Sequence, residues 1–163
     1  MHILIKNKLL YCGNYKVKCA VGKRGISIKK KEGDFITPKG TFKIKEIFYR
    51  KDRVRSLITR LKKTFIRKNM GWCDDPKSKK YNKLIYFPFK HSAEKLYRRE
   101  NIYDIILVLN FNMNPVKKNK GSAIFIHIAK KNFQPTQGCI ALNKNELIKL
   151  VKSIKKNTAV KII

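Results

Sequence analysis

Two near-continuous apolar runs, residues 103–109 (YDIILVL) and 123–129 (AIFIHIA), set the strongest limit on how this chain folds. Both are short and rich in Ile, Val and Leu. The loop between them carries Asn112, Asn114, Pro115 and Gly121. Runs of this kind read as strands covered on both faces.

The rest of the chain is consistent with a mainly β fold. Ile3 and Ile5 alternate with polar neighbours, as do Val17, Cys19 and Val21, and residues 41–49 alternate through Phe42, Ile44 and Ile47. Gly13-Asn14, Gly22 to Gly25, Gly33-Asp34 and Pro38-Lys-Gly40 supply turns. Residues 83–89 and 160–163 read as further strands. A few helices are also predicted. Val54, Leu57, Ile58, Leu61 and Phe65 fall near helical spacing, and Ser92 is placed to cap a short helix through Arg99. Asn143 with Glu146 resembles a capping box opening a helix whose apolar face is Leu147, Ile148, Leu150, Val151 and Ile154. No repeat or linker divides residues 1–163, so one domain is expected.

Charge narrows the partners. Forty Lys and Arg against ten Asp and Glu give a formal net charge of +30. Such a surface attracts polyanions: nucleic acid, an anionic membrane face or an acidic polymer. A lysine-favouring codon bias would produce the same count. The lysines are spread along the chain rather than gathered on one arm, and no zinc-finger spacing, RNP strand or basic region accompanies them, so no specific nucleic-acid partner is expected. No apolar run is long enough for a transmembrane helix, and the first residues show no export signal. A monomer is expected.

The cysteines, Cys12, Cys19, Cys73 and Cys139, include no C-x-x-C pair, so neither structural zinc nor a redox motif is indicated. Three read as small buried hydrophobes. Cys139 differs. It follows Gly138 twelve residues after His127, a histidine inside an otherwise apolar strand. A thiol with a free pKa of roughly 8.5 needs a nearby imidazole to take its proton if it is to act as a nucleophile at neutral pH. Gly138 permits close approach of a substrate, and backbone amides at 138 and 139 are candidates for an oxyanion hole. Taken singly, a histidine in an apolar strand is also a hydrogen-bonded core residue, and a lone cysteine is also packing. Asp74 and Asp75 read as turn residues rather than a carboxylate dyad, and His91 as exposed. Trp72 and Tyr103 fit a peptide groove or a core equally well.

The stretch Thr136-Gln137-Gly138-Cys139 downstream of His127 resembles the catalytic signature of the YkuD-type L,D-transpeptidase domain. Glu32-Gly-Asp-Phe-Ile-Thr37-Pro38-Lys-Gly40-Thr-Phe42 is similar to that family's TPxGxF hairpin. Other segments resemble one bacterial branch of it: Tyr49-Arg50-Lys-Asp52-Arg53, Gly71-Trp-Cys-Asp-Asp-Pro76 with Tyr81-Asn82, residues 96–104 and residues 121–127. The resemblance implies a β-sandwich or barrel catalytic fold. It further implies acyl transfer on peptidoglycan stem peptides in cell-wall biogenesis, without metal or cofactor, at the carbonyl of the third stem residue and with loss of a terminal D-alanine. Cys139 is then the nucleophile and His127 the base. Gly138 and Cys139 provide oxyanion amides, and the Ile128 carbonyl orients the imidazole. Thr136, Gln137, Trp72 and Tyr103 are implied substrate contacts. A periplasmic or envelope location is implied, with a cytoplasmic one left open by the missing signal.

The sequence departs from the commonest family pattern at Gln137, where many members have His, and at Ala141, where many have Arg or Asn. The connection from His127 to Cys139 is also shorter than usual. These changes leave open a hydrolase or amidase of the same fold, and a non-catalytic basic protein that binds nucleic acid on this scaffold.

Overall fold

A computed structural model describes residues 2–163. Its strands are β1 (His2–Lys6), β2 (Leu9–Cys12), β3 (Tyr15–Ala20), β4 (Ile26–Ser27), β5 (Thr37–Pro38), β6 (Gly40–Tyr49), β7 (Lys63–Phe65), β8 (Met70–Cys73), β9 (Leu84–Tyr86), β10 (Ala93–Lys95), β11 (Ile105–Leu109), β12 (Phe125–Ile128), β13 (Ile140–Leu142) and β14 (Ala159–Ile162). The helix α1 (Lys144–Ser153) lies between the last two strands.

Strands β11-β12-β13-β3-β2-β1-β14-β6 pair in that order, and β6 pairs back onto β11, so the sheet closes into a barrel. Strand β6 makes the closure. Its first half, Gly40 to Lys43, pairs with β14, and its second half, Ile44 to Tyr49, runs along β11. Strand β7 pairs with Ile47, Phe48 and Tyr49.

The apolar runs are explained by two cores. Ile105, Leu107 and Leu109 alternate into one cluster, which also takes Leu147, Leu150 and Val151 of α1. Ile106 and Val108 face a second cluster with Phe48, Trp72, Leu96, Tyr103 and Phe125. Each fully buried side chain of this size gains roughly 1.5–3 kcal/mol on leaving water. A second small sheet, β10-β8-β9, supplies much of that second cluster. Period-two alternation therefore puts Ile124, Ile126 and Ile128 in the first core and Phe125 in the second. His127 shares the Phe125 face.

Two predicted helices do not form. Residues 93–95 pair with Cys73, Trp72 and Gly71 instead, and the Ser92 hydroxyl donates to Asp74 Oδ1 at 2.6 Å rather than capping a helix. Val54, Leu57 and Leu61 are buried, but Ile58 is 61% exposed, and the segment is irregular until β7 joins the sheet. Apolar spacing there matched loop residues that dip into the core one at a time. Helix α1 forms as read, with Asn143 Oδ1 accepting from the Asn145 amide at 3.0 Å. Glu146 turns to Lys149 and to the Tyr15 hydroxyl, so only half of the capping box is made. His91 is half-buried rather than exposed, its Nδ1 3.0 Å from Asp75 Oδ2. Asp75 Oδ1 also accepts from the Lys77 amide at 2.9 Å, as a turn carboxylate does. Cys12, Cys19 and Cys73 are buried free thiols. Among the described residues no helix is long and apolar enough to cross a membrane.

Candidate active site

Strands β12 and β13 run parallel, with Ile126 opposite Ile140 and His127 opposite Ala141. This register brings Cys139, one residue before β13, alongside Phe125. The thiol sits between two backbone groups of that segment. The Phe125 N–H points at Sγ from 3.4 Å, and Sγ–H donates to the Ala123 carbonyl at 3.1 Å. Cys139 and His127 open into one cleft, whose wall also carries Tyr103, Thr136, Gln137 and Gly138.

The turn before Cys139 is tied down by side chains distant in sequence. Thr136 Oγ1 accepts from the Gly138 N–H at 3.1 Å and donates to the Cys139 carbonyl at 2.6 Å. The buried Thr37 hydroxyl donates to the Gly138 carbonyl at 2.8 Å, while its oxygen accepts the Gly22 N–H at 2.8 Å. Gly138 has φ +141°, and a Cβ there would lie 2.9 Å from the Ile36 carbonyl oxygen. Only glycine fits that backbone.

His127 is 6% exposed. Its Nδ1 lies 2.9 Å from the Ile128 carbonyl, which only accepts, so Nδ1 carries the proton and Nε2 is left as the acceptor. The Tyr103 ring meets the imidazole edge-on at 5.2 Å. Burial pushes His127 down to about 4 against the bond to Ile128, with Arg98 and Lys130 adding to the fall. Burial pushes the Cys139 thiol up to about 12, helped by the Glu94 carboxylate and opposed by the Phe125 amide, Lys29 and Arg98. At neutral pH the pair therefore rests as thiol and neutral imidazole.

Further side chains shape the cleft without having stood out in the sequence. Glu94 Oε1 accepts from the Tyr103 hydroxyl at 2.6 Å and from Arg98 at 2.9 Å. Lys29 is almost wholly buried and paired with Asp34 at 2.6 Å. Burial acts to raise the Asp34 carboxyl, but Lys29 and the amides of Lys30, Ile36 and Lys31 outweigh it and hold it at about 2. The only hint of these residues in the sequence was the Gly33-Asp34 turn.

A family model for the L,D-transpeptidase catalytic domain (YkuD) matches residues 3–162. The chain belongs to that family. No curated protein matches the chain. Proteins of the L,D-transpeptidase family act on peptidoglycan peptides and are typically associated with the cell envelope. The mainly β closed barrel is the fold expected of a family member.

One expected substrate contact of this L,D-transpeptidase domain is corrected by the structure. Trp72 is 3% exposed and turned into the second core against Phe125, so it has no surface to offer a ligand. Its indole N–H donates to Asn82 Oδ1 at 3.0 Å, and the same oxygen accepts the Ala123 N–H at 3.1 Å. Trp72 thus braces the segment that holds the thiol. Tyr103 is also nearly buried, yet one part of it reaches the cleft beside His127. Among the described residues no three His, Cys, Asp or Glu side chains are arranged to hold a metal ion.

Proposed function

We propose that this protein is a cysteine acyltransferase acting on peptidoglycan stem peptides, with Cys139 as nucleophile and His127 as base. The observation that carries the reading is the shared cleft, in which the Ile128 carbonyl fixes the imidazole tautomer and leaves Nε2 free to accept a proton. A backbone carbonyl here takes the orienting role that a carboxylate has in other triads.

Both groups rest neutral, so the Sγ proton passes to His127 Nε2 as sulfur attacks the carbonyl of the third stem residue. The S–H must turn away from the Ala123 carbonyl for this transfer, a rotation about the Cβ–Sγ bond that leaves sulfur in place. The Phe125 N–H keeps its hold on sulfur and favours the thiolate. The Cys139 amide faces the developing oxyanion, and Gly138 adds its own once that N–H leaves Thr136 Oγ1. Removing one such donor typically costs roughly 2.7–4 kcal/mol of transition-state stabilisation. Collapse returns the proton from His127 to the departing amine of the terminal residue and leaves a thioester. An amine of a neighbouring stem then forms the 3→3 cross-link, or water hydrolyses the thioester.

Intact-protein mass spectrometry with a tetrapeptide-stem muropeptide tests this directly. A thioester adduct in the wild type and none in Cys139→Ala supports the reading. Equal turnover by the two proteins ends it. The masses of the released products separate transfer from hydrolysis. The +30 charge supports retention on the acidic wall polymer, so binding to purified sacculi should weaken as salt rises.

A further inference from the structure

We infer that Arg50 and Arg53 are positioning residues of this site: they clamp the cleft wall formed by residues 94–103 and, through Tyr103, hold the His127 imidazole in its working orientation. The inference rests on the acyl-transfer reading for what that imidazole does, but the clamp itself stands on geometry. It joins two sequence motifs, residues 49–53 and residues 96–104, which the chemistry above leaves without a role.

Both arginines come directly after β6, and the register that sets Tyr49 opposite Ile105 lays them over the chain leading into β11. The Arg50 N–H donates to the Asp104 carbonyl at 2.9 Å. Its guanidinium is almost wholly buried, stacks on the Tyr97 ring at 3.5 Å and donates to the Arg98 carbonyl at 2.9 Å. Asp52 takes the rest of the fork with both oxygens, at 2.8 Å and 2.6 Å. Arg53 holds the next two carbonyls, of Arg99 at 2.9 Å and of Glu100 at 3.1 Å, and pairs with the buried Asp104 carboxylate at 3.0 Å. Three successive carbonyls are thus held by two cations that lie 46 to 48 residues away in sequence. Taking a guanidinium out of water is costly, and an apolar side chain would fill the same space at less cost. A buried arginine is therefore weak evidence for stability and points instead to the geometry it imposes.

What the clamp fixes is the wall that faces the imidazole. Arg98, whose carbonyl Arg50 holds, turns its own guanidinium back to Glu94 Oε1 at 2.9 Å and to the Lys95 carbonyl at 3.1 Å. The same guanidinium lies 4.8 Å from the centre of the Tyr103 ring. The Tyr103 hydroxyl donates to that Glu94 oxygen at 2.6 Å. Tyr103 is therefore pinned at its hydroxyl, over its ring and, through Asp104, at its backbone. Its ring meets the imidazole at 5.2 Å, so the Ile128 carbonyl holds one nitrogen while Tyr103 blocks the ring from turning. The charged and titratable groups facing the imidazole are Arg98, Lys130, Tyr103 and Cys139. Of these, Arg98 and Tyr103 belong to the clamped segment. A wall that drifts outwards admits water to His127 and carries Arg98 away. Both changes raise the imidazole from about 4 towards its ordinary value.

The test is Arg53→Lys, which keeps a charge opposite Asp104 but lacks the planar fork that spans two carbonyls. The His127 ring signal, identified by its loss in His127→Gln, is followed by NMR from about pH 5 to pH 8. Thioester formation with a tetrapeptide-stem muropeptide is timed in a single turnover. The wild-type signal should stay still over that range. In Arg53→Lys it should titrate, and thioester formation should slow by about tenfold or more, since a small misplacement of a reacting group carries a penalty of that order. Asp52→Asn removes the charge of an exposed partner of Arg50 and should move both readouts the same way by less. That variant carries the test if Arg53→Lys fails to fold. A purely structural clamp would lower the melting temperature and leave the His127 titration as it is in the wild type, and that result overturns the inference. A shifted titration with an unchanged rate overturns it as well, because the wall would then shield the imidazole without orienting it. A wild type that forms no thioester, with a His127 signal that still shifts in the variants, would sustain the clamp and remove the acyl-transfer reading.

Discussion

Acidification should weaken the fold through His127 before it reaches the paired carboxylates. The imidazole is held at about 4 in the fold, against 6.5 for an unperturbed histidine. Between those values the unfolded chain takes up a proton that the folded chain refuses. The contribution is therefore complete above pH 6.5 and is lost as the pH falls towards 4. At about 1.36 kcal/mol for each tenfold difference in proton affinity, this loss amounts to roughly 3 kcal/mol. Asp34 enters later, because its carboxyl stays ionised in the fold down to about 2. Glu94 works the other way, since burial raises its pKa and favours the fold as it protonates. A difference measurement removes that contribution. Urea unfolding of the wild type and of His127→Gln, each at pH 7 and pH 4.5, should show a larger loss in the wild type by about 2 to 3 kcal/mol. Parallel losses in the two proteins would mean that the imidazole is solvated or already paired, and the neutral-pair mechanism would lose its footing.

Other consequences are open to simple assays. Iodoacetamide should label Cys139 slowly at pH 7.5, with a rate that keeps climbing above pH 9, because the thiol is pushed up to about 12. A plateau near pH 7 would indicate a preformed thiolate instead. Asn82→Ala removes an amide that accepts from Trp72 and Ala123 and donates to the Phe111 and Asn112 carbonyls. It should cost roughly 3 kcal/mol or more in denaturant unfolding. Gly138→Ala forces a Cβ against the Ile36 carbonyl and should abolish thioester formation in the mass-spectrometric assay.

The parts of the fold that could be read from sequence were those whose signal is local. The continuous apolar runs gave β11 and β12 because both faces of those strands are covered, and Asn143 with the spacing of Leu147, Leu150 and Val151 gave α1. Residues 93–95 misled because their pairing partner, β8, lies twenty residues upstream and outweighs a cap at Ser92. In the cleft, His127 and Cys139 were visible as a spacing of residue types. The contribution of Lys29 and Glu94 was not, since each reaches the cleft only once the barrel has closed and the small sheet has packed on it. Trp72 has the residue type of a ligand platform, and only its indole hydrogen bond to Asn82 shows that it acts as a brace.

The parallel pairing of β12 with β13 makes the chain between them an exchangeable cassette. The separation of imidazole and thiol is written into the inter-strand register, Ile126 with Ile140 and His127 with Ala141, and not into the length of the connection. Residues 130–135 leave one strand and return to the other, and Lys130, Gln134 and Pro135 border the mouth of the cleft. That stretch can be shortened, extended or grafted while the imidazole and the thiol keep their places. Under the proposed acyl transfer, the length of that stretch would bear on which acceptors reach the thioester and leave the chemistry that makes it untouched.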